Sequence, residues 1–115
     1  MKTVEIVYTQ TFEQTVDSVI IHWSQWNEEN TVIERIESLV EHFEAQVTQN
    51  PYIYSLCAEL VPLGNTDIRE MKRQNARLLY EVVEQTECFT IIALLFLGQK
   101  QSIQNQLIDH CILYK

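Results

Sequence analysis

The hydrophobic pattern at the start of the chain changes its period once. Residues 4–8, Val-Glu-Ile-Val-Tyr, combine β-branched and aromatic side chains with partial alternation, which is typical of a strand. From Thr11 to near Asn27 the apolar positions recur at helical spacing instead, and they are Phe12, Val16, Val19, Ile20 and Trp23. The pattern predicts a strand followed by an amphipathic helix.

A second amphipathic helix is predicted after a short polar turn. Thr31 and Glu34 have the spacing of a capping box, which predicts that the helix begins there, and Asn50-Pro51 predicts where it ends. Its apolar positions are Ile33, Ile36, Leu39, Val40, Phe43 and Val47. Its glutamates share the other side at positions 34, 37, 41 and 44, where a solvated face is far commoner than a metal or acid–base array. The two helices are predicted to form an αα-hairpin.

After Pro51 the pattern favours strands. Residues 55–61 form a short strand candidate, residues 62–67 are dense in turn residues, and three strands are predicted at roughly 68–74, 76–84 and 88–97. The longest apolar run, residues 89–97, is far shorter than the roughly 18 residues of a membrane span. It is predicted to be a buried central strand. Ser102 is predicted to cap a short C-terminal helix.

These elements predict an α+β fold in a single domain, residues 1–115. An N-terminal strand and an αα-hairpin precede a mainly antiparallel sheet of four or five strands, and a short C-terminal helix follows. The predicted core is Phe12, Val16, Ile20, Ile36, Val40, Phe43, Leu79, Ile91, Ala93 and Leu95. Because strand side chains alternate, Ile91, Ala93 and Leu95 are expected to share one face.

Charge is distributed unevenly over a chain whose net charge is −8. Half of all Lys and Arg residues lie within nine positions, and we call this set the basic strip: Arg69, Lys72, Arg73 and Arg77. A domain this acidic is a poor non-specific binder of nucleic acid, but a local basic strip can contact an acidic partner. A turn near Gln74-Asn75 would place Arg69 and Arg77 on adjacent strands, where they are expected to meet.

The remaining chemistry-bearing residues point to no cofactor or metal. The cysteines are three in number and widely separated, without a Cys-x-x-Cys pair, and the histidines share no ligand spacing. The N-terminal segment carries Glu5 where a signal peptide needs an apolar region. We therefore expect a cytoplasmic protein without cofactor, metal site or membrane contact.

The ordered set of these features resembles the RelE/ParE toxin superfamily of bacterial type II toxin–antitoxin systems. The resemblance extends from Val4 to about Lys100: a helical hairpin, Asn-Pro, a turn, and an apolar strand after two arginine-bearing motifs. The motifs are Asp67-Ile-Arg-Glu70, similar to the family's arginine-bearing strand, and Arg77-Leu-Leu-Tyr-Glu-Val82, similar to the strand that follows. It implies a toxin that a cognate antitoxin neutralises.

The superfamily has two mechanisms, and the residues favour one of them. RelE-like members cleave mRNA in the ribosome and need proton-transfer groups, whereas ParE-like members poison DNA gyrase by binding. Arg77 matches the arginine that both branches carry, and Tyr80 is a conceivable acid. However, the position where many nucleases have His or Tyr falls at about Phe96 or Leu97. Neither side chain can move a proton, and the acidity of the chain opposes approach to ribosomal RNA.

The resemblance and the residues together predict a ParE-like toxin that inhibits DNA gyrase by protein–protein binding. The residues expected to bind the target or the antitoxin are Arg69, Lys72, Arg73, Arg77 and Lys100. No direct DNA binding is expected for the protein alone. Two alternatives stay open: a RelE-type mRNA endonuclease that uses Arg77 and Tyr80, and a degenerate, non-toxic member of the family.

Overall fold

A computed structural model describes residues 3–64 and 66–98 of the protein, and it confirms the predicted α+β fold. The elements are β1 (Thr3–Tyr8), α1 (Gln10–Trp23), α2 (Glu29–Gln49), a 3₁₀ turn (Val61–Leu63), β2 (Ile68–Arg73), β3 (Ala76–Glu84) and β4 (Cys88–Gly98). The helix predicted from Ser102 lies outside the described residues. No helix in these two ranges has the length and apolarity that crossing a membrane requires.

The sheet has four strands in the order β1-β4-β3-β2. Strand β1 pairs with β4 in parallel, whereas β2, β3 and β4 pair in antiparallel fashion. The apolar run of the sequence forms β4, which has a neighbour on both sides and carries α1 on its face. The prediction of a buried central strand is confirmed.

Side-chain hydrogen bonds fix the start of α1 on this sheet. Thr9 caps the helix, since its Oγ1 accepts a hydrogen bond from the Phe12 amide at 3.0 Å. The same hydroxyl donates to the Ala93 carbonyl oxygen at 3.0 Å. The helix therefore begins one residue before the predicted start and ends at Trp23, earlier than predicted.

The predicted capping box of the second helix is wrong. Helix α2 begins at Glu29, its N-cap residue is Glu28, and no side chain caps it, so Thr31 and Glu34 lie inside the helix. Two carboxylates at the first turn interact favourably with the helix dipole, and the turn between the helices, residues 24–28, lies nearer the N-terminus than the capping pattern indicated. The end of the helix at Asn50 agrees with the prediction.

A β-bulge at Leu94 overturns the expected parity of β4. Leu79 pairs with Leu95 but Tyr80 pairs with Ala93, so Leu94 has no partner on β3. An extra residue in one strand reverses which face of the sheet each following side chain of that strand points to. Ala93 therefore faces the hairpin, whereas Leu95 belongs to a separate cluster that also contains Leu79.

The bulge is stabilised from α1. Beyond it, Phe96 returns to the helix side, where its ring contacts Phe12 edge-on with centroids 6.2 Å apart. The Phe96 amide donates to the buried Thr15 hydroxyl at 3.0 Å, so this buried N–H group is paired. The hydroxyl in turn donates to the Phe12 carbonyl oxygen.

The core consequently consists of two clusters, one on each face of the sheet. The cluster under the hairpin contains the predicted residues Phe12, Ile36, Phe43, Ile91 and Ala93, with Val16, Ile20 and Val40 partly buried against it. The cluster on the opposite face, which we call the back cluster, contains Cys57, Leu60, Ile68, Leu79, Leu94, Leu95 and Leu97.

The segment predicted as a strand at residues 55–61 forms a single bridge instead, between Leu56 and Arg69. The Cys57 amide donates to the Ile68 carbonyl oxygen at 2.8 Å, and the Glu70 amide donates to the Ser55 carbonyl oxygen at 3.1 Å. Beyond this point the chain turns onto the back cluster, because burying Cys57 and Leu60 there excludes further pairing. The segment thus covers the outer edge of β2.

Candidate functional site

The basic strip lies on the hairpin formed by β2 and β3. The residues of the turn, Gln74 and Asn75, both have positive φ, 50° and 65°, as a two-residue type I′ turn requires. This turn sets a register in which Lys72 is opposite Arg77 and Arg69 is opposite Tyr80. The expectation that Arg69 and Arg77 meet across adjacent strands is therefore wrong.

The strip is divided between the two faces of the sheet. Met71 belongs to the cluster under the hairpin, and strand alternation places Arg69 and Arg73 on the same side. Leu79 belongs to the back cluster, so Arg77 lies on the back, together with Lys72 opposite it. The structure does not bring the four cations together on one surface.

Arg77 is buried between two carboxylates. Its Nε donates to Glu70 Oε2 at 2.5 Å, and its terminal nitrogen donates to Glu59 Oε1 at 2.7 Å. Only 7% of the Arg77 side chain and 5% of the Glu70 side chain are exposed, whereas Glu59 is 53% exposed. Burial lowers the pKa of Arg77, but the hydrogen bonds to Glu70 and Glu59 outweigh it and raise the pKa above its usual value. This guanidinium stays charged and fully engaged.

Arg69 is held on the other face by aromatic residues and a backbone carbonyl. Its guanidinium donates to the Tyr54 carbonyl oxygen at 2.7 Å and lies 4.9 Å from the ring centroid of Tyr52. A half-buried arginine with these partners contributes to packing as well as to charge. It anchors the segment after α2 to strand β2.

Tyr80 is fully buried, and its hydroxyl donates to the Pro51 carbonyl oxygen at 3.0 Å. Burial raises the pKa of Tyr80 to about 12, although a backbone hydrogen bond from Tyr54 and the charge of Arg69 act in the opposite direction. Tyr80 faces the hairpin cluster while Arg77 faces the back. The two residues of the nuclease alternative therefore cannot act on one substrate atom.

The exposed part of the strip is at the turn. Lys72 and Arg73 are exposed, and Lys72 Nζ is 3.7 Å from the buried Glu70. A cleft of about 510 Å³ opens beside them. Its lining residues are Glu59, Lys72, Arg73, Gln74, Asn75, Ala76 and Arg77. We call this surface the turn cleft.

Sequence reasoning missed one cation near this turn. Arg35 on α2 donates a hydrogen bond to the Gln74 carbonyl oxygen, and its guanidinium carbon lies 4.4 Å from the Trp23 ring centroid. The sequence feature that could have indicated it is that Arg35 is the only arginine in the first 66 residues of the chain. It joins the hairpin of helices to the hairpin of strands.

The residues at the position of the nuclease proton donor are apolar and buried. Leu97 is opposite Arg77 in the sheet, and both Phe96 and Leu97 are fully buried. Among the described residues that line the turn cleft, none is a histidine, tyrosine or cysteine. In the same part of the chain no group of three or more His, Cys, Asp or Glu side chains could hold a metal ion. Lys100 lies outside the described residues.

Comparison with known proteins places the fold but not a sequence family. No protein-family profile matches the chain, and no curated protein sequence matches it. Among solved structures, one chain of the toxin–antitoxin complex RelBE2 from Mycobacterium tuberculosis superposes with a TM-score of 0.55 at 15% sequence identity. The match covers 84% of this chain and 98% of that chain.

The chain has the fold of a RelBE2 component. At 15% identity the likeness concerns the fold alone. It agrees with the fold that the resemblance to the RelE/ParE superfamily implied.

Proposed function

We propose that the protein is the toxin of a type II toxin–antitoxin module, acting by binding a protein target and neutralised by a cognate antitoxin. The observation that carries this proposal is the state of Arg77, which is buried between Glu70 and Glu59 with Leu97 opposite it. RNA cleavage by a neighbouring 2′-hydroxyl needs a free cation at the phosphate and groups that transfer protons. Here Arg77 is fully engaged, and none of the described residues that line the turn cleft is a histidine or tyrosine, whereas a binding toxin needs no acid–base pair.

We propose DNA gyrase as the target, following the resemblance to ParE-like toxins. Support comes from the acidity of the chain, which opposes contact with a phosphate-rich ribosome but not with another protein. The contact surface that we propose is the turn cleft, where Lys72 and Arg73 are exposed. Arg69 and Arg77 are assigned to the fold instead, since both are engaged by other side chains or backbone. We place the protein in the cytoplasm, where such a target is found.

The test of this proposal is induced expression with and without a small open reading frame next to the gene, where we expect the antitoxin to be encoded. We expect growth arrest that co-expression relieves, and inhibition of gyrase supercoiling by the purified protein. Replacing Lys72 and Arg73 by alanine should weaken supercoiling inhibition without lowering the melting temperature, because exposed charges guide association and add little stability. A matched control replaces Lys2 and Lys115, which changes the net charge equally.

Two other outcomes would refute parts of the proposal. Growth arrest without any effect on gyrase would refute gyrase as the target and would support a toxin with another target. Antitoxin binding without growth arrest would identify a degenerate member that has lost its toxicity.

A further inference from the structure

The outer side of the helical hairpin carries a groove that the proposed toxin function does not use. It has a volume of about 580 Å³ and lies between α1 and α2, next to the end of β1. Its floor is formed by Phe12 and Val16 from α1 and by Ile36 and Val40 from α2. Val16 and Val40 are only half-buried, so part of this apolar floor faces the groove. We call this surface the hairpin groove.

The rim of the hairpin groove is acidic on both sides. Glu13 and Asp17 follow the two floor residues of α1 by one position, and Glu37 and Glu41 follow those of α2 in the same way. Each helix therefore presents one apolar row and one acidic row, each with the i, i+4 spacing of a single helix face. The result is an apolar channel flanked by two rows of carboxylates.

The four rim carboxylates have no cationic partner within the described residues. Three ion pairs between described side chains lie on the back of the sheet, at Glu59 and Glu70. Glu44, the next acid along α2, differs because it accepts a hydrogen bond from the Tyr8 hydroxyl at 2.6 Å. The exposed rim acids are thus available to a cationic partner, and their mutual repulsion is relieved when one binds.

We propose that the hairpin groove binds a basic amphipathic helix of a partner protein. Such a helix places apolar residues on the floor through i, i+3 and i+4 positions and directs Lys or Arg to both acidic rows. Charge complementarity selects this occupant over a second copy of the chain, whose net charge of −8 would repel the rim. It also disfavours residues 99–115 of the same chain, which carry Lys100 and Lys115 against Asp109 and supply too little positive charge for four carboxylates.

This inference does not depend on toxicity or on gyrase. The surface, the charge of its partner and the mode of binding are separate from the turn cleft, so either proposal can fail alone.

The test uses the full-length protein and a synthetic Leu/Lys amphipathic helix of about 18 residues, long enough to span the groove. In calorimetric titrations we expect one peptide per chain and a micromolar Kd that weakens at least about tenfold between about 50 mM and about 500 mM NaCl. An isomeric Leu/Glu peptide should not bind. If the full-length chain does not bind the Leu/Lys peptide at low salt, the proposal is overturned.

Variants with matched charge separate a built groove from general attraction to an acidic protein. The double variant Glu37→Gln, Glu41→Gln raises the net charge by two at the rim. It should raise the Kd of the peptide about tenfold and make that Kd less dependent on salt. Ser38→Lys with Ala45→Lys raises the net charge equally at exposed positions of α2 outside the groove. That control should weaken binding by less than about threefold. Equal weakening by both variants would show that the peptide senses net charge only, and would overturn the proposal.

Discussion

Replacing Arg77 by alanine is expected to destabilise the fold by about 3 kcal/mol, because it leaves the buried carboxylate of Glu70 without its main partner. Removing one member of a buried ion pair typically costs about 3–5 kcal/mol. We expect the lower end of that range because Lys72 Nζ lies 3.7 Å from the same carboxylate and compensates in part. The burial of Glu70, which is only 8% exposed, limits how well water compensates for the lost guanidinium.

Substitutions of the carboxylate partners of Arg77 measure how much each ion pair contributes to stability. Glu59 is half-exposed, and Glu59→Ala should therefore cost about 1 kcal/mol or less. Arg77→Met combined with Glu70→Met removes both charges and keeps the volume apolar, so it should be more stable than Arg77→Met alone.

Urea denaturation and calorimetry measure these differences. The expected fall in melting temperature for Arg77→Ala is about 12 °C, at about 4 °C per kcal/mol for a domain of this size. An Arg77→Ala protein with wild-type stability would refute the reasoning, since it would mean that the arginine is free rather than structural. A double variant less stable than Arg77→Met would refute the assignment of the cost to the unpaired Glu70.

Three further predictions follow from the other residues of the site. Arg69→Ala should lower the free energy of unfolding by about 1–2 kcal/mol, because a hydrogen bond and a ring contact are lost. Arg73 is exposed, so Arg73→Ala should change it by no more than about 0.5 kcal/mol in the same urea assay. The reverse order would contradict the assignment of Arg69 to the fold and of Arg73 to the exposed surface. Tyr80→Phe should cost about 1 kcal/mol at neutral pH, when its hydrogen bond is lost. Because the folded pKa of Tyr80 is about 12 and an unfolded tyrosine titrates near 10, its contribution is present below about pH 10 and declines from there to about pH 12. The variant should then lose less stability than the wild type over that pH range, and parallel curves would contradict the assignment. Asn75→Gly should raise stability by about 0.5–1 kcal/mol because glycine accepts the positive φ of the turn, and a loss of stability would contradict the turn geometry.

The elements of the fold were predictable because each has its own period. Alternation in β1 and the apolar run of β4 identified strands, and spacing of 3.6 residues identified both helices. The sequence did not predict how segments that are distant along the chain pair with one another. The bulge at Leu94 is fixed by contacts with α1, and the segment at residues 55–61 gives up strand pairing because Cys57 and Leu60 enter the back cluster.

The arrangement of the predicted site residues could not be derived from the sequence. Clustering in the sequence selected the four cations, whose role in binding stays a prediction, and the two-residue turn sets a register that divides them between the two faces of the sheet. The carboxylate at Glu70 alternates onto the face of Arg77, which a strand pattern suggests, but the approach of Glu59 depends on the loop that folds over the back. No local pattern reveals such a loop contact.

The proposed function requires that this protein acts by binding and does not cut RNA. The most direct measurement is mRNA cleavage in a ribosome-programmed translation reaction, comparing the wild type with the folded Arg77→Met, Glu70→Met variant. Our account predicts intact mRNA with both proteins, because Arg77 is engaged by Glu70 and Glu59 and none of the described residues that line the turn cleft is a histidine or tyrosine. Codon-dependent cleavage by the wild type that disappears in the variant would contradict it and would identify an endonuclease.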